Sequence, residues 1–358
     1  MDTFCVLPWV GKEIRWNNAQ THCCLLAPQY DINQVKSDLL AGVKTPACQK
    51  CWNLEENGIK SDRQVKNAAL DFYWNRDIEN IKNDAINGKL DRVLMLKLFT
   101  SYTCNATCIS CGPGSSSSWA QLNHRTDPKI PLSKYKFVDL DQVNTQVDFK
   151  ELKMLSLIGG EPLYEKKNFD LLEHIIELGN TSIFLSMVTN GSVKLSTRQK
   201  KILSKFKNIN FSVSIDGTES VFEYLRYPLK WADLKDNLNF FWEVGGNVSS
   251  NYTLSNLNVL YHTRTLKWFD ENNLVYSINP IYRPTWLQPR ALPESIKKVL
   301  KQQLSATDYN TFIGPIHTEQ DQLDFQTMLS QIKIQDTAKK IQMKHYLPEL
   351  HDHLISWV

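Results

Sequence analysis

The chain has 358 residues and a formal net charge of +3, with 42% hydrophobic and 22% charged residues. This composition is ordinary for a globular protein, and the length allows one large domain or two to three smaller ones. The weak charge gives no argument for nucleic acid binding, no apolar run of about eighteen residues predicts a membrane span, and the N-terminus lacks the pattern of a signal peptide. We therefore expect a cytoplasmic protein with neither a membrane nor a nucleic acid partner.

The cysteines fall into two local groups. Five of the eight lie within the first 51 residues, and three lie between positions 104 and 111. In a reducing compartment, clustered cysteines more often bind metal or take part in chemistry than form disulfides. The first group ends in a Cys-x-x-Cys pair, Cys48 and Cys51, after separated thiols. Such a set fits either zinc or an iron–sulfur cluster, and its spacing alone favours zinc.

The second group lies between a predicted strand and a predicted helix. Before it, residues 60–88 predict a single helix, and the apolar run 92–99 has the length of a buried strand. The sequence TCNATCISCG follows this strand at once. Residues 115–123 then predict a helix that begins on serine N-caps. The three thiols of this group are therefore expected on a turn at the end of a strand.

The rest of the chain alternates between strands and helices. Polar residues 124–150 predict a surface insertion, and residues 291–358 predict a mostly helical C-terminal part. Five further strands are predicted at 153–160, 182–191, 208–217, 247–256 and 273–280. Helices are predicted at 168–179, 195–206, 231–243 and 257–271. Six strands separated by helices predict an α/β fold with a parallel sheet and right-handed crossovers.

The second cysteine group offers three thiols, Cys104, Cys108 and Cys111. Structural zinc sites normally use four ligands, whereas three thiolates suit an iron–sulfur cluster that keeps one iron open for an outside ligand. Three buried structural cysteines are the alternative interpretation. In α/β barrels the loops after the strands build the active site, and this triplet follows the first predicted strand. We therefore favour a cluster at a functional edge.

The spacing Cys104-x3-Cys108-x2-Cys111 after a first strand resembles the radical S-adenosylmethionine (radical SAM) superfamily. The resemblance covers roughly residues 90–285 and includes GGEP at 159–162, TNG at 189–191 and SIDG at 214–217. It implies a partial (β/α)6 radical SAM barrel with a small N-terminal cysteine-rich cluster module and a helical C-terminal extension. The corresponding domains are 1–88, 89–290 and 291–358.

The resemblance also implies a cofactor site. The three thiols of the triplet would hold a 4Fe-4S cluster whose open iron binds S-adenosylmethionine (SAM). The SAM-binding residues that it implies are Gly159, Gly160, Glu161, Asn190, Ser214 and Arg226. The resemblance implies that Glu161 and the GGEP backbone contact the SAM amino group. It also implies that Ser214 contacts the ribose and that Arg226 contacts the carboxylate. One departure is Ser110, because the residue before the last cysteine is often aromatic in the family.

The first fifty residues resemble the auxiliary-cluster modules called SPASM and twitch domains, which open with a cysteine, a glycine-containing hairpin and a second cysteine. The implied ligands of a second, auxiliary 4Fe-4S cluster are Cys5, Cys23, Cys48 and Cys51. Cys23 is preferred to Cys24 by its interval from the turn, where Asn18 replaces the usual glycine and tolerates the left-handed conformation. Such modules usually follow the barrel, whereas this one precedes it. Four protein ligands would close the cluster and favour electron transfer.

The resemblance implies an enzyme that reductively cleaves SAM to a 5′-deoxyadenosyl radical and abstracts a substrate hydrogen. A peptide or protein side chain is the favoured substrate, with crosslinking, epimerisation or oxidation as the outcome. A small-molecule dehydrogenase or epimerase acting on a sugar or aminocyclitol is the alternative, and a non-enzymatic iron–sulfur or zinc scaffold is a third, from another class. An electron donor such as flavodoxin or ferredoxin is also implied. No residue is assigned as catalytic donor or base.

The sequence also limits where a peptide could bind. A winged-helix peptide-binding module, common in peptide-modifying members of the family, needs about eighty residues, and the segment 53–90 is too short for one. A peptide substrate would therefore use the barrel mouth or the C-terminal helices.

Overall fold

The computed structural model describes residues 2–17, 19–23, 25–26, 29–74, 76–132, 134–314, 318–355 and 357, without the side chains of 70–74. Its strands are β1 (Gly11–Arg15), β2 (Gln20–Thr21), β3 (Met95–Phe99), β4 (Met154–Ile158), β5 (Phe184–Thr189), β6 (Asn208–Ser214), β7 (Asn247–Leu254) and β8 (Val275–Pro280). None of the helices in these ranges combines the length and the apolar character needed to cross a bilayer.

Helices precede, separate and follow these strands along the chain. The first eight are α1 (Leu7–Val10), α2 (Ile32–Leu40), α3 (Gln49–Glu56), α4 (Asp62–Trp74), α5 (Ile78–Ile86), α6 (Ser117–Thr126), α7 (Leu140–Asn144) and α8 (Lys166–Glu177). The next eight are α9 (Thr197–Leu203), α10 (Glu219–Leu225), α11 (Trp231–Glu243), α12 (His262–Glu271), α13 (Glu294–Gln303), α14 (Ala306–Phe312), α15 (Glu319–Lys339) and α16 (Pro348–Leu354). Short 3₁₀ turns occur at Pro46–Cys48, Val259–Tyr261, Thr285–Leu287, Pro289–Ala291 and Met343–His345.

The strands form an eight-stranded sheet in the order β2-β1-β3-β4-β5-β6-β7-β8. The pairs β1–β3, β3–β4, β4–β5 and β7–β8 are parallel, and β1–β2 is antiparallel. All six predicted strands are present as β3 to β8, which confirms the α/β class with a mostly parallel sheet. The partial barrel and the cysteine-rich module stay predictions.

The central strands form because their apolar residues bury one or both faces of the sheet. In β6, Ile209, Phe211 and Val213 alternate with less buried residues and are at most 1% exposed. This period of two is the pattern of a strand whose one face packs on a core. In β4, by contrast, consecutive residues on both sides are buried, as expected for a parallel strand covered by helices on both faces.

The chain divides into two compact units. The first comprises residues 1–102, 135–187 and 196–210, and the second comprises 103–134, 188–195 and 211–358. The first unit has a core of N-terminal and sheet residues in which Phe4, Trp52 and Leu94 are nearly inaccessible to solvent. In the second unit, Phe211 and Phe241 stack with ring centroids 4.0 Å apart. The three domains predicted from the sequence remain a prediction.

The structure differs from the predicted elements in three places. The helix predicted over 60–88 is two helices, α4 and α5, because Asp77 has extended backbone and N-caps α5 by accepting a hydrogen bond from Glu79 N. The segment predicted as a surface insertion, 124–150, contains helix α7 and buries Val143 and Phe149. Helix α10 was not predicted. Strands β1 and β2 form an antiparallel pair where the resemblance to auxiliary-cluster modules implies a hairpin, although no residue pattern predicted these two strands.

Candidate functional site

The loop that carries the cysteine triplet is held by the serines that follow it. Ser116 caps helix α6 by accepting a hydrogen bond from Trp119 N, and its Oγ donates to Ala106 O at 2.6 Å. Ser117 Oγ accepts from Cys104 N at 3.1 Å, and Ser118 Oγ donates to Cys104 O at 2.7 Å. The predicted serine cap is therefore confirmed, and the run of serines also fixes the backbone of the first cysteine.

The middle of the same loop pairs with the end of helix α10. Thr107 N donates to Tyr227 O at 2.7 Å, and Ile109 N donates to Leu225 O at 2.8 Å. Trp119 Nε1 donates to Cys108 O at 2.8 Å. Backbone groups at Cys104 and Cys108 are thus satisfied by neighbouring elements, which hold this part of the loop in place.

The three thiols lie close enough to influence one another. Cys104 and Cys108 are buried, and Cys111 is exposed. A hydrogen bond with Cys108 lowers the pKa of the Cys111 thiol, and the positive charge of Arg226 lowers it further. The same hydrogen bond and burial raise the pKa of Cys108. One of the pair therefore gains thiolate character, the form in which cysteine binds metal.

Arg226 brings a buried positive charge to this loop. Its Nη2 lies 2.7 Å from Asp216 Oδ2, and its Nη1 lies 3.9 Å from Cys108 Sγ. Burial would lower the pKa of Arg226, but the negative charges of Asp216 and Cys108 raise it above its usual range. Arg226 Nε is buried and has no hydrogen-bond partner within the described ranges. The guanidinium thus keeps one donor for a further acceptor.

A second buried cation approaches the loop from the C-terminal helix α15. Lys339 is 5% exposed, its Nζ lies 4.9 Å from the centre of the Trp119 ring, and it donates to Gln335 Oε1 at 2.9 Å. Burial lowers the pKa of Lys339 to about 8, and the charge of Cys108 opposes this shift. Lys339 therefore places positive charge behind the cysteine loop.

Two predicted SAM-binding residues lie at the ends of strands. Asn190 follows β5, and Ser214 is the last residue of β6. Asn190 Nδ2 donates to Asn105 Oδ1 at 2.7 Å, inside the Cys104–Cys108 interval, and Asn190 Oδ1 accepts from Ser192 N at 3.0 Å. Gly191 has φ +71°, and a Cβ there would lie 2.6 Å from Leu234, so the turn requires glycine. Ser214 ends strand β6 and is partly exposed. The structure thus brings Asn190 to the cysteine loop by a direct hydrogen bond.

The GGEP residues belong to the other compact unit. Gly159 has φ +90°, and a Cβ would lie 2.8 Å from Ser101 O, so glycine is required after strand β4. Gly160 also has a positive φ, of 40°. Glu161 is 1% exposed, and its Oε1 accepts a hydrogen bond from Leu163 N at 2.9 Å. Phe99 and Ile158 pair at the ends of the parallel strands β3 and β4, so the GGEP turn lies beside the residues that directly follow β3.

Three of the four predicted auxiliary ligands are neighbours in the first unit. Burial raises the pKa of Cys5 to about 12, and the charges of Cys48 and Cys51 contribute to that shift. Burial also raises the pKa of Cys48 to about 11, with Cys51 as its next contributor. Arg63 is buried beside them, donates to Phe4 O at 2.9 Å and pairs with Glu55 at 2.7 Å. The influence of Cys48 and Cys51 on the pKa of Cys5 therefore indicates that the three thiols lie in the same part of the first unit.

The fourth predicted auxiliary ligand, Cys23, lies after the antiparallel hairpin of β1 and β2. Its Sγ accepts a hydrogen bond from Leu25 N at 3.4 Å. Asn18 and Cys24, which the prediction places in the same hairpin, lie outside the described residues. Across the described ranges, no group of three or more His, Cys, Asp or Glu side chains is arranged to bind a single metal ion.

Several residues of the site were not singled out by sequence reasoning. Asp216 was inside the quoted SIDG motif, so its position after a strand was available as a signal. Ser117 and Ser118 were recognised only as capping residues, although their position directly after the triplet was a signal. Lys339 is more than two hundred residues from the triplet in the chain, and no sequence pattern connects the two.

No protein-family model and no curated protein matches this chain. Solved structures do match it. The structure of anSMEcpe with bound AdoMet and the Cp18Cys peptide matches with 17% identity and a TM-score of 0.40, over 52% of this chain and 50% of that chain. SuiB of Streptococcus suis bound to S-adenosylmethionine matches with 15% identity and a TM-score of 0.41, over 85% and 68%.

A third match is TYW1 with a lysine-pyruvate adduct bound, with 15% identity and a TM-score of 0.30, over 56% of this chain and 70% of that chain. The chain spans about half the length of anSMEcpe. All three TM-scores lie below 0.5, so these similarities do not establish membership in a family. The case for a function therefore depends on the residues themselves.

Proposed function

We propose that this protein is a radical SAM enzyme that acts on a peptide or protein side chain. The observation that carries the proposal is the loop of Cys104, Cys108 and Cys111, whose backbone is fixed on both sides while a buried Arg226 lies next to Cys108. A 4Fe-4S cluster bound there would supply the electron that cleaves SAM to the 5′-deoxyadenosyl radical. Alternative substrates are a sugar or an aminocyclitol.

The donor set fits such a cluster. Cluster irons are held by cysteine thiolates, and the loop offers three thiols, two of them joined by a hydrogen bond that favours thiolate character. Arg226 and Lys339 add positive charge close to Cys108. Because positive charge stabilises thiolate, both side chains favour the deprotonated state that ligation requires.

Side chains and backbone of the chain would together orient SAM. Arg226 Nε is a buried donor with no partner among the described residues, and a carboxylate is the natural acceptor for a guanidinium. Its pairing with Asp216 fixes the guanidinium in position. Ser214 would contact the ribose, and Gly159, Gly160 and Glu161 the amino group. Asn190 would act on the loop itself, through its hydrogen bond to Asn105.

The auxiliary 4Fe-4S cluster is the second part of the proposal, with Cys5, Cys23, Cys48 and Cys51 as ligands. It is supported by the mutual proximity of three of these thiols in a buried environment. Arg63 lies beside them and offers a compensating positive charge. Modules of this kind are frequent in peptide-modifying members of the family, which favours a peptide substrate over a small molecule. An electron donor such as flavodoxin or ferredoxin completes the proposal.

Iron analysis of anaerobically reconstituted protein tests both clusters. We expect close to eight irons per chain, as two 4Fe-4S clusters require, and an electron paramagnetic resonance signal of the reduced protein that changes when SAM is added. Replacing the three triplet cysteines with alanine should remove about half the iron and abolish the SAM-dependent change. A signal that SAM leaves unaltered would refute the proposed SAM site.

The variant Cys48→Ala/Cys51→Ala separates the roles of the two clusters. It should still cleave SAM with a strong chemical reductant, because that step needs only the triplet. It should not convert the peptide substrate to product. Cluster loss also removes folding free energy, so the thermal unfolding midpoint of the variant is the control. Iron near four in the parent protein, with one zinc bound, would refute the auxiliary iron–sulfur cluster and leave the first site intact.

A further inference from the structure

The C-terminal part of the second unit contains an open groove that the proposed chemistry does not use. It has a volume of about 1140 Å³ and is lined by residues from 326 to 346 together with His351 and Trp357. We call it the C-terminal groove. Small-molecule pockets usually measure about 300–1,000 Å³, so this groove has room for a segment of a peptide chain.

Part of the lining of the C-terminal groove is apolar. Ile332 and Met343 are 8% and 5% exposed, and Ile341 is partly buried. Trp357 is 50% exposed, although its ring packs edge-on against Phe325 with centroids 5.4 Å apart. An indole that is anchored on one side and open on the other offers a contact surface at low entropic cost, which is why tryptophan is enriched at binding hot spots.

The rim of the groove is positively charged. Lys333, Lys340 and Lys344 line it and are exposed. Asp336 is the one carboxylate among the described lining residues, and it faces inward. Its Oδ1 accepts a hydrogen bond from Tyr224 at 2.9 Å, and its Oδ2 accepts one from Met343 N at 2.6 Å. The charge that a ligand meets at the rim is therefore positive.

We propose that the C-terminal groove binds an acidic segment of a peptide, whose carboxylates meet Lys333 and Lys344 and whose apolar side chains pack on Trp357. Charge complementarity selects this occupant, since exposed lysines beside apolar side chains of the same groove attract acidic and amphipathic chains. The concave shape is also poorly suited to a flat bilayer. That this peptide is the substrate of the enzyme rests on the proposed function; the binding itself does not.

Fluorescence anisotropy with a short fluorescein-labelled peptide of repeating Glu-Glu-Leu units tests this proposal. We expect saturable binding that weakens with salt, and none by a matched peptide of repeating Lys-Lys-Leu units. The variant Lys333→Glu/Lys344→Glu should weaken binding roughly tenfold or more, and Trp357→Ala should weaken it as well. The matched control Lys298→Glu/Lys301→Glu changes two exposed lysines of helix α13 outside the groove and should bind like the parent.

Circular dichroism and the thermal unfolding midpoint establish that each variant is folded. Equal affinity for both peptides, or equal binding by the groove and control variants, would overturn the proposal. Stronger binding to phosphatidylserine vesicles than to the acidic peptide would also overturn it, in favour of a membrane surface. Lys333→Glu/Lys344→Glu should keep SAM cleavage, so failure of the groove is distinguishable from failure of the proposed chemistry. A parent protein that binds the peptide but never cleaves SAM would refute the proposed SAM chemistry and leave the peptide-binding proposal intact.

Discussion

Arg226 and Asp216 form a buried ion pair in which Nη2 lies 2.7 Å from Oδ2, with both side chains less than 10% exposed. The other carboxylate oxygen of Asp216 accepts a hydrogen bond from Thr253 N at 2.9 Å. Asp216 follows strand β6, and Arg226 ends helix α10, next to Cys108. The pair therefore links the end of the sheet to the cysteine loop, and its stability bears on the whole site.

Breaking this pair from one side should be costly. We expect Asp216→Ala to lower the free energy of unfolding by about 3–5 kcal/mol, because it leaves the buried charge of Arg226 uncompensated. The double variant Asp216→Ala/Arg226→Met should lose less than Asp216→Ala alone, since it removes both charges. Urea unfolding of the cluster-free protein measures these differences. If the double variant were less stable than Asp216→Ala, the ion pair would not be the cause.

The two serines that bond to Cys104 should affect cluster loading. We expect Ser117→Ala/Ser118→Ala to lower iron occupancy at the triplet. Each hydrogen bond stabilises the ordered conformation of the loop by about 0.5–1.5 kcal/mol, and the variant loses both bonds. Ser115→Ala, at an exposed position two residues before Ser117, is the matched control and should load iron like the parent. Iron bound per chain after reconstitution, in a background lacking Cys48 and Cys51, measures this. Equal loading in both variants would show that the serines do not position the loop.

Strong apolar patterns made the central strands predictable. The runs that became β3, β4 and β6 contain consecutive or alternating aliphatic residues, and such patterns predict buried strands whatever surrounds them. Strand β1 has the sequence GKEIR, with a glutamate that is buried at 3% exposure and pairs with Arg15. A charged residue predicts a surface position when seen alone, and the ion pairs of Glu13 with Arg15 and Lys97 make its burial tolerable. For this reason no apolar pattern predicted β1, and only the resemblance to auxiliary-cluster modules implied a hairpin in this segment.

The candidate site was predictable to the extent that it is local in sequence. The triplet, GGEP and SIDG each lie within a few residues after a strand, so a motif search finds them. The approach of Lys339 to Trp119 depends on how helix α15 packs, and the ion pair of Arg226 depends on the length of helix α10. Contacts of this kind arise from tertiary packing and leave no periodic signal in the sequence.

Lys339 should tune the proposed cluster at the triplet. Reduction adds negative charge, and a buried cation stabilises it because charges interact more strongly at low dielectric. We therefore expect Lys339→Met to shift the reduction potential of this cluster to a more negative value. Lys339→Arg keeps the positive charge and should therefore have a potential close to that of the parent. Lys333→Met, an exposed lysine on the same helix, is the control. A spectroscopic redox titration measures the potential, and an unchanged value in Lys339→Met would contradict this role.

His262 should make stability depend on pH. It is 2% exposed and stacks on Tyr252 at 5.6 Å, and burial lowers its pKa from the ordinary value of 6.5. The unfolded chain then binds a proton that the folded chain does not, so stability is lost as pH falls below about 6.5, by up to about 1.4 kcal/mol per pH unit. We expect His262→Phe to lose less stability than the parent between about pH 7.5 and about pH 5.5 in urea unfolding.

The exposed His353 provides the control for this effect. His353→Gln should show the same pH dependence as the parent, because His353 is open to solvent and packs against no described core residue that its replacement would disturb. A parent and a His262→Phe variant with parallel losses would show that burial of His262 does not contribute to acid sensitivity.

The central claim is that the triplet Cys104, Cys108 and Cys111 supports reductive cleavage of SAM. The most direct measurement is the amount of 5′-deoxyadenosine formed from SAM by anaerobically reconstituted protein with dithionite as reductant. We predict that the parent protein forms it and that Cys104→Ala/Cys108→Ala/Cys111→Ala forms none while keeping the iron of the N-terminal site. A parent protein that is loaded with iron and sulfide but forms no 5′-deoxyadenosine, or a triple variant that forms as much as the parent, would contradict the claim.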